Sequence, residues 1–438
     1  MNEKHSLKYV LSNSGWMMGQ QIYNMLLQLV IGSISARYLG PSNYGLLNYS
    51  SSIIAFFSII CRLGLDGVII NEMTLKPEKR GNYLGSALVM RLLTSVASFF
   101  MILAIVRVLE PTNIMLHVIT ALQGIAVILQ SYEVFTYWFQ LNLKMKYVSI
   151  ATMVAQTIVG VWRITLLATK ASVYYFAFSS SIQYLVCGVI VISFFLREHS
   201  GLKLRYSKSD AHALLHNSYH FIISGLAVTF YSQIDRIMIG KTLSAEFVGF
   251  YSAAAAIAAM WEFVPNALIN STRPVILSLR KNNYKQYLRN FQGLLLVVTI
   301  LSVSVSLIIS VFGKWAILIL YGEKYLPAVQ SLSILVWSTG FAMIGTTRGI
   351  WILAEGYNKY TKYYILIGAG VNFVLNLFFI PLWGITGAAI TTLISQITVA
   401  FISPLLFKNT RQFDLIYLSS FNLIPDLIEM VKNIIKKK

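Results

Sequence analysis

Long apolar runs alternate with short charged or Pro/Gly/Asn-containing breaks along almost the whole chain. A helix needs about 20 mostly apolar residues to cross a bilayer, so each long run predicts one transmembrane helix. The pattern predicts about twelve crossings, which place both termini on one side. The predicted spans are residues 10–36, 45–70, 83–106, 114–140, 148–169, 173–196, 214–240, 246–272, 291–312, 325–353, 363–380 and 385–407.

Composition agrees with this pattern. The 438 residues are 56% hydrophobic and 12% charged, with a mean hydropathy of +0.66. These values predict an all-α integral membrane protein with little chain left for a soluble domain. Cys61 and Cys187 lie inside apolar runs, so we interpret them as small core residues rather than as disulfide or metal-binding cysteines.

The net charge of +19 is unevenly distributed. If the spans alternate, 23 of the 35 Lys and Arg residues lie on the side of the termini, six lie on the other side and six lie inside spans. This asymmetry follows the positive-inside rule and predicts cytoplasmic termini in the plasma membrane. Because the basic residues are separated by apolar runs, they do not predict a nucleic acid partner.

The basic, polar segment after the sixth span divides the chain. A shift of 204 positions places Asn13 on Asn217 and Gly45 on Gly249, which predicts a parallel internal repeat. The segment ending in three lysines predicts an amphipathic helix at the membrane surface. The predicted regions are an N-terminal six-helix lobe (1–200), a cytoplasmic loop (201–213), a C-terminal six-helix lobe (214–407) and a basic amphipathic tail (408–438).

Six arginines fall within the predicted spans. Exposing each to lipid would cost about 2.5–3.5 kcal/mol, so they are expected to face a polar cavity. Guanidinium groups match phosphate oxygens bidentately, which predicts a substrate with a phosphate or pyrophosphate. For those near a helix end, snorkelling to the interface is the alternative. The candidate substrate-binding residues are Arg62, Arg91, Arg163, Arg236, Arg273 and Arg348.

Acidic residues occur in the same spans. Arg62 and Asp66 are one helical turn apart and can pair along the second span. Asp235 is either an ion-coupling site or a group that orients a neighbouring helix. The spans also contain Glu72, Glu133 and Glu262.

Other chemistry has little support in the sequence. His212, His216 and His220 lie on one helical face, which favours a face at headgroup level over a metal site. No paired-carboxylate, Ser-His-Asp, P-loop or HExxH pattern is present, so the sequence predicts neither an enzyme nor a cofactor.

Several motifs, in this order, resemble the polysaccharide flippases (Wzx-type) of the multidrug/oligosaccharidyl-lipid/polysaccharide exporter superfamily. The likeness extends over nearly the whole chain up to about residue 407. The motifs are Ala36-Arg37-Tyr38-Leu39-Gly40-Pro41, Arg62-Leu63-Gly64-Leu65-Asp66, Gln233-Ile234-Asp235-Arg236, Leu320-Tyr321-Gly322-Glu323 and Ile380-Pro381-Leu382-Trp383-Gly384.

The resemblance implies two six-helix lobes around a central cationic cavity. It implies alternating access that moves a polyprenyl-pyrophosphate-linked oligosaccharide to the outer leaflet of a bacterial plasma membrane. It also implies coupling to H⁺ or Na⁺, for which Asp66 and Asp235 occupy acidic motif positions. Membrane lipids and polysaccharide polymerase machinery are the expected partners.

Three alternatives remain. A cation-coupled drug antiporter of the same superfamily would favour an acidic cavity. A lipid II flippase usually resembles a fourteen-helix pattern, whereas twelve spans are predicted here. A membrane glycosyltransferase or polymerase generally has a long outer loop, and the longest predicted outer loop, 313–324, is short.

Overall fold

A computed structural model describes residues 3–198 and 202–425, and these residues are almost entirely helical. They divide into two compact units, Met1–Gly249 (unit 1) and Phe250–Lys438 (unit 2). Most of the predicted amphipathic tail helix lies in 426–438, outside the described residues.

Unit 1 contains the longest helix and the loop after the sixth crossing. A 3₁₀ turn, Gln130–Glu133, separates its fourth and fifth helices, and its last helix continues into unit 2. Its helices are α1 (Glu3–Arg62), α2 (Leu65–Leu75), α3 (Arg80–Leu109), α4 (Ile114–Leu129), α5 (Val134–Leu141), α6 (Met145–Ala168), α7 (Val173–Glu198), α8 (Lys208–Thr242) and α9 (Ala245–Ala259).

Unit 2 includes a π-helical turn, Thr398–Ile402. Its helices are α10 (Phe263–Asn282), α11 (Tyr284–Leu320), α12 (Ala328–Ala354), α13 (Thr361–Ile397), α14 (Ser403–Leu405) and α15 (Gln412–Ser420).

The described helices fit the twelve predicted crossings. Nine helical stretches within the described residues are long and apolar enough to span a membrane. Two of these, 12–75 and 358–405, each contain two predicted spans, broken at Gly40 and Gly384. The twelfth is α8, which is 35 residues long but more polar. The structure thus confirms the predicted all-α membrane fold, and a twelve-helix arrangement fits it.

The break within α1 explains how one continuous apolar region makes a hairpin. Gly40 has φ 74° and ψ 169°, a conformation open to glycine because it has no Cβ, and Pro41 follows it. Proline has no N–H for the helical ladder, so the helix can restart there at little cost. The Leu39-Gly40-Pro41 motif is therefore a tight turn between the first two crossings.

The segment 202–207, which leads into α8, is fixed to α3. The Arg205 N–H donates to the Gly81 carbonyl at 3.3 Å, and the Ser207 N–H donates to Ser86 Oγ at 3.0 Å. A Cβ on Gly85 would lie 2.5 Å from the Arg205 carbonyl oxygen, so the backbones are in direct contact. Unit 1 therefore includes α8, which was predicted to belong to the C-terminal lobe. The division into lobes at 201–213 stays a prediction.

The described part of the tail packs into unit 2 rather than standing free. Phe413 is fully buried, with its ring 6.1 Å from that of Trp351. The Gln292 side-chain amide donates to Ser419 Oγ at 2.7 Å, which joins α15 to α11. Leu415 and Leu418 lie on the opposite face of α15 and are exposed.

Candidate functional site

The site in unit 1 begins where the second crossing is interrupted. Helix α1 ends at Arg62, and Leu63 and Gly64 adopt left-handed conformations with φ 55° and 60° before α2 begins. The prediction that Arg62 pairs with Asp66 one turn further along the same helix is wrong, because the helix does not continue between them. Instead, Arg62 Nη2 lies 3.5 Å from Glu133 Oε1.

Glu133 is shared by two arginines. It lies in the 3₁₀ turn between α4 and α5. Arg91 of α3 is fully buried, and its Nη2 donates to Glu133 Oε2 at 2.9 Å. Charge-assisted bonds of this length are among the strongest in proteins, so Arg91 is the firmer partner of Glu133.

A second acid is joined to the same network. Arg91 Nη1 donates to the Tyr137 hydroxyl at 3.4 Å, and this hydroxyl donates to Asp66 Oδ1 at 2.5 Å. Tyr137 on α5 therefore links Asp66 on α2 to the buried arginine. The two guanidiniums and the two carboxylates form one network on four different elements.

A cavity of about 400 Å³ lies beside this network. Arg62, Asp66 and Glu133 line it. The formal charges of the network balance, so these residues do not by themselves form a cationic cavity, and the cationic central cavity stays a prediction. The remaining polar lining residues are Gln20, Tyr132, Thr136, Tyr137, Gln140, Thr152, Gln183 and Tyr184.

Arg62 is the more accessible guanidinium of the network. Its side chain is 39% exposed, whereas that of Arg91 is fully buried. Its pair with Glu133 is also the longer one, 3.5 Å against 2.9 Å. Arg62 can therefore meet a ligand in the cavity, while Arg91 holds the acid behind it.

Two further candidate arginines of unit 1 lie elsewhere. Arg163 on α6 is partly buried, and its Nε has no hydrogen-bond partner among the described residues. Arg236 on α8 donates to Gln233 Oε1 at 2.9 Å, and Ser52 Oγ donates to the same oxygen at 3.0 Å. Asp235 is buried on α8. The roles of these residues in substrate binding and coupling stay predictions.

The last two candidates belong to unit 2. Arg273 is exposed on α10. Arg348 is buried on α12, and its Nη1 donates to the carbonyls of Val399 and Ala400 at 2.6 and 2.8 Å. Its guanidinium also lies 4.6 Å from the centroid of the Tyr364 ring. These contacts give Arg348 a structural task at the π-helical turn, and its substrate-binding role stays a prediction.

Glu133 and the cavity tyrosines were not among the predicted site residues. The sequence contains an indication that Glu133 is functional, since it is an acid in an apolar span, and Tyr137 lies one turn after it. It contains no such indication for Tyr132 and Tyr184, because tyrosines are frequent in this chain and common near membrane interfaces.

Metal binding and disulfides have no support in the described ranges. No group of three or more His, Cys, Asp or Glu in residues 3–198 and 202–425 is placed to hold a metal ion. His212 and His216 are exposed, with ring centroids 6.5 Å apart. Cys61 and Cys187 are both buried free thiols, as predicted for core residues.

Comparison with known families identifies the chain's class. Residues 10–279, more than half of the chain, match the family described as polysaccharide biosynthesis protein. The chain belongs to this family. The match covers the whole site of unit 1 and confirms the predicted resemblance to polysaccharide flippases.

Two curated relatives agree with this assignment. An Escherichia coli K12 protein named as an O-antigen transporter is 22% identical over 89% of this chain and 94% of its own length. A Haloferax volcanii protein named as a flippase, AglR, is 30% identical over 38% of this chain, a match that spans only 36% of the AglR length. Both names describe transport proteins rather than enzymes, in agreement with the sequence prediction.

A solved structure shows the same fold. The lipid II flippase MurJ in an inward closed conformation superposes with a TM-score of 0.69 at 15% identity, covering 96% of this chain and 93% of MurJ. At this identity the likeness shows the fold alone and says nothing of the substrate.

Proposed function

We propose that the protein moves a polyprenyl-pyrophosphate-linked oligosaccharide, the repeat unit of a polysaccharide, from the inner to the outer leaflet by alternating access. The proposal rests mainly on the position of Arg62. Its guanidinium is partly exposed on a cavity of about 400 Å³ and is held by a long pair, 3.5 Å, with Glu133. Arg62 binds the phosphate, and the prenyl chain stays in the lipid.

Because two arginines share Glu133, Arg62 can leave this carboxylate for a phosphate at a small cost in free energy. Removing the only partner of a buried charge is strongly destabilising, by about 3–5 kcal/mol. When Arg62 turns toward a phosphate, Glu133 keeps its 2.9 Å bond to Arg91 and is not left unpaired. Arg91 is therefore a positioning residue, which leaves Arg62 available to the ligand.

The other cavity residues suit the sugar. Gln140 and Gln183 carry amides that donate and accept hydrogen bonds, and Tyr132 and Tyr184 add hydroxyl groups. Neutral donors and acceptors of this kind match sugar hydroxyls and add no charge. The identity of the repeat unit depends on these contacts.

Ion coupling is the second part of the proposal. Asp66 lies on the cavity and accepts from Tyr137, so an arriving H⁺ or Na⁺ would meet a carboxylate linked to the arginine network. Asp235 on α8 is the other predicted coupling residue. The positive-inside distribution supports a bacterial plasma membrane location with both termini in the cytoplasm. Polysaccharide polymerase machinery is the partner that would use the delivered substrate.

The test is leaflet reorientation in proteoliposomes. A short-chain prenyl-pyrophosphate oligosaccharide is placed in both leaflets, and an enzyme that reaches only the outer leaflet reports its movement. Wild-type protein and Arg197→Ala, which removes an exposed cation at the end of α7, should move the substrate. Arg62→Ala should not. Equal movement by Arg62→Ala and wild type would contradict the proposal.

A cation-coupled drug antiporter is the second candidate, because two carboxylates, Asp66 and Glu133, line the cavity. The same vesicles distinguish it. Exchange of a cationic dye for H⁺ or Na⁺, without movement of the pyrophosphate lipid, would transfer the assignment to an antiporter.

A further inference from the structure

A second cavity, which the proposed function does not use, lies in unit 2. It is a groove of about 520 Å³ between α10 and α11, with Leu423 of the tail as part of its wall. Most of the lining is apolar and includes Leu268, Val275, Ile276, Leu294 and Val297.

The groove has one cationic end. Helices α10 and α11 are connected through Asn283, so residues close to that turn lie together at one end of the pair. Arg289 and Asn290 line the groove near the turn, whereas Leu268 and Val297 line it far from the turn. The distance along α11 from Arg289 to Val297 is about 12 Å at 1.5 Å per residue.

Further cations lie near the cationic end of the groove. Lys281 and Lys285 are exposed beside the same turn. Arg280 at the same turn is paired with Glu355, with Nη2 donating to Oε2 at 2.7 Å, so this carboxylate is engaged by Arg280. Arg289, Lys281 and Lys285 thus place three cations at the turn end of the groove, which favours an anionic ligand there.

Gly293 lies in the middle of the groove lining. A Cβ on Gly293 would meet no atom within 4 Å, although Gly293 lines the groove. A side chain at this position would begin in open space, and we expect a large one to extend into the groove. This position gives a direct way to block the cavity.

We propose that the groove binds an anionic phospholipid, with one acyl chain along Leu294 and Val297 and the phosphate at Arg289. Free phosphate would make no contact with the apolar lining of the groove, and a neutral lipid would gain no charge interaction at its cationic end. Because Leu423 forms part of the wall, the bound chain also contacts the segment after α15.

Native mass spectrometry tests the proposal on full-length protein released from nanodiscs of phosphatidylglycerol mixed with phosphatidylethanolamine. Wild type should retain phosphatidylglycerol. Gly293→Phe should lose most of this adduct, and Arg289→Gln should lose its preference for phosphatidylglycerol over phosphatidylethanolamine. Gly370→Phe is the matched control, since Gly370 on α13 is exposed and also has no atom within 4 Å of a Cβ.

Three results would overturn the proposal: equal retention by Gly293→Phe and Gly370→Phe, no headgroup preference in wild type, or retention of a prenyl phosphate alone from native membranes. If Gly293→Phe does not fold, Gly293→Leu fills less of the groove and replaces it. The assay reads lipid retention and not transport, so its outcome is independent of the proposed function.

Discussion

Gly45 and Gly249, 204 positions apart, pack reciprocally. A Cβ on Gly45 would lie 1.6 Å from the Ala245 carbonyl oxygen, and a Cβ on Gly249 would lie 2.1 Å from the Pro41 carbonyl oxygen. The shift of 204 that relates the glycines also relates Pro41 to Ala245. The contact is therefore the one that a two-fold relation between the repeats would produce, and it uses the small residues through which membrane helices approach closely.

A methyl group at this contact should disrupt it. We expect Gly45→Ala to lower the thermal unfolding temperature in detergent, because the new Cβ would overlap backbone atoms that no side-chain rotation can move. Gly32→Ala is the control on the same helix, since nothing lies within 4 Å of its Cβ. That variant should be neutral or slightly stabilising, by about 0.5–1 kcal/mol. Equal melting temperatures for both variants would show that the reciprocal contact is not formed.

The pair of Arg91 with Glu133, behind the cavity, should stabilise this part of unit 1. We expect Arg91→Leu to destabilise the protein by less than the roughly 3–5 kcal/mol of an uncompensated buried charge, because Glu133 would lose its 2.9 Å bond but keep its long pair with Arg62. The check is a double-mutant cycle of Arg91→Leu and Glu133→Gln, read by thermal unfolding. The double variant should be more stable than the sum of the single effects allows. Simple additivity would mean that the two groups do not interact.

A substitution at Arg348 can distinguish a structural role from a role in substrate binding. Lysine cannot lie as a planar group over Tyr364, so Arg348→Lys should lower the thermal stability of the protein. The folded variant should still bind a short-chain prenyl pyrophosphate with wild-type affinity. A selective loss of affinity without loss of stability would instead support the sequence prediction that Arg348 binds substrate.

The loop fixed to α3 offers a local test. Gly85→Ala should detach segment 202–207, because the new methyl group would lie 2.5 Å from the Arg205 carbonyl oxygen. Limited trypsin digestion should then cut after Lys203 and Arg205 faster than in wild type. Gly370→Ala, with open space around its Cβ, should leave the rate unchanged. An unchanged rate in Gly85→Ala would show that the loop does not rest on α3.

Much of the fold could be predicted from the sequence because the thickness of the membrane sets the length of each apolar run. The twelve predicted spans have helical counterparts, and the Gly40 and Gly384 breaks coincide with predicted turns. The break at Leu63 was not predicted, since leucine normally continues a helix and adopts φ 55° here only in its tertiary setting.

The site was less predictable for a physical reason. Periodicity shows which residues share a helix face, but not which helices meet. The pairing of Arg62 with Glu133 joins residues 71 positions apart, whereas the nearer Asp66 was the natural choice along one helix. Arg91 and Arg348 look alike in sequence, yet one binds a carboxylate and the other binds backbone carbonyls.

The proposed function requires that Arg62 hold the phosphate of the substrate. It is tested most directly by equilibrium binding of a short-chain prenyl pyrophosphate and of the matching uncharged prenyl alcohol to wild type, Arg62→Lys and Arg62→Ala. We expect wild type to prefer the pyrophosphate, Arg62→Lys to lose much of this preference, and Arg62→Ala to lose it almost fully, because lysine lacks the bidentate fork. An undiminished preference in Arg62→Ala would contradict the account.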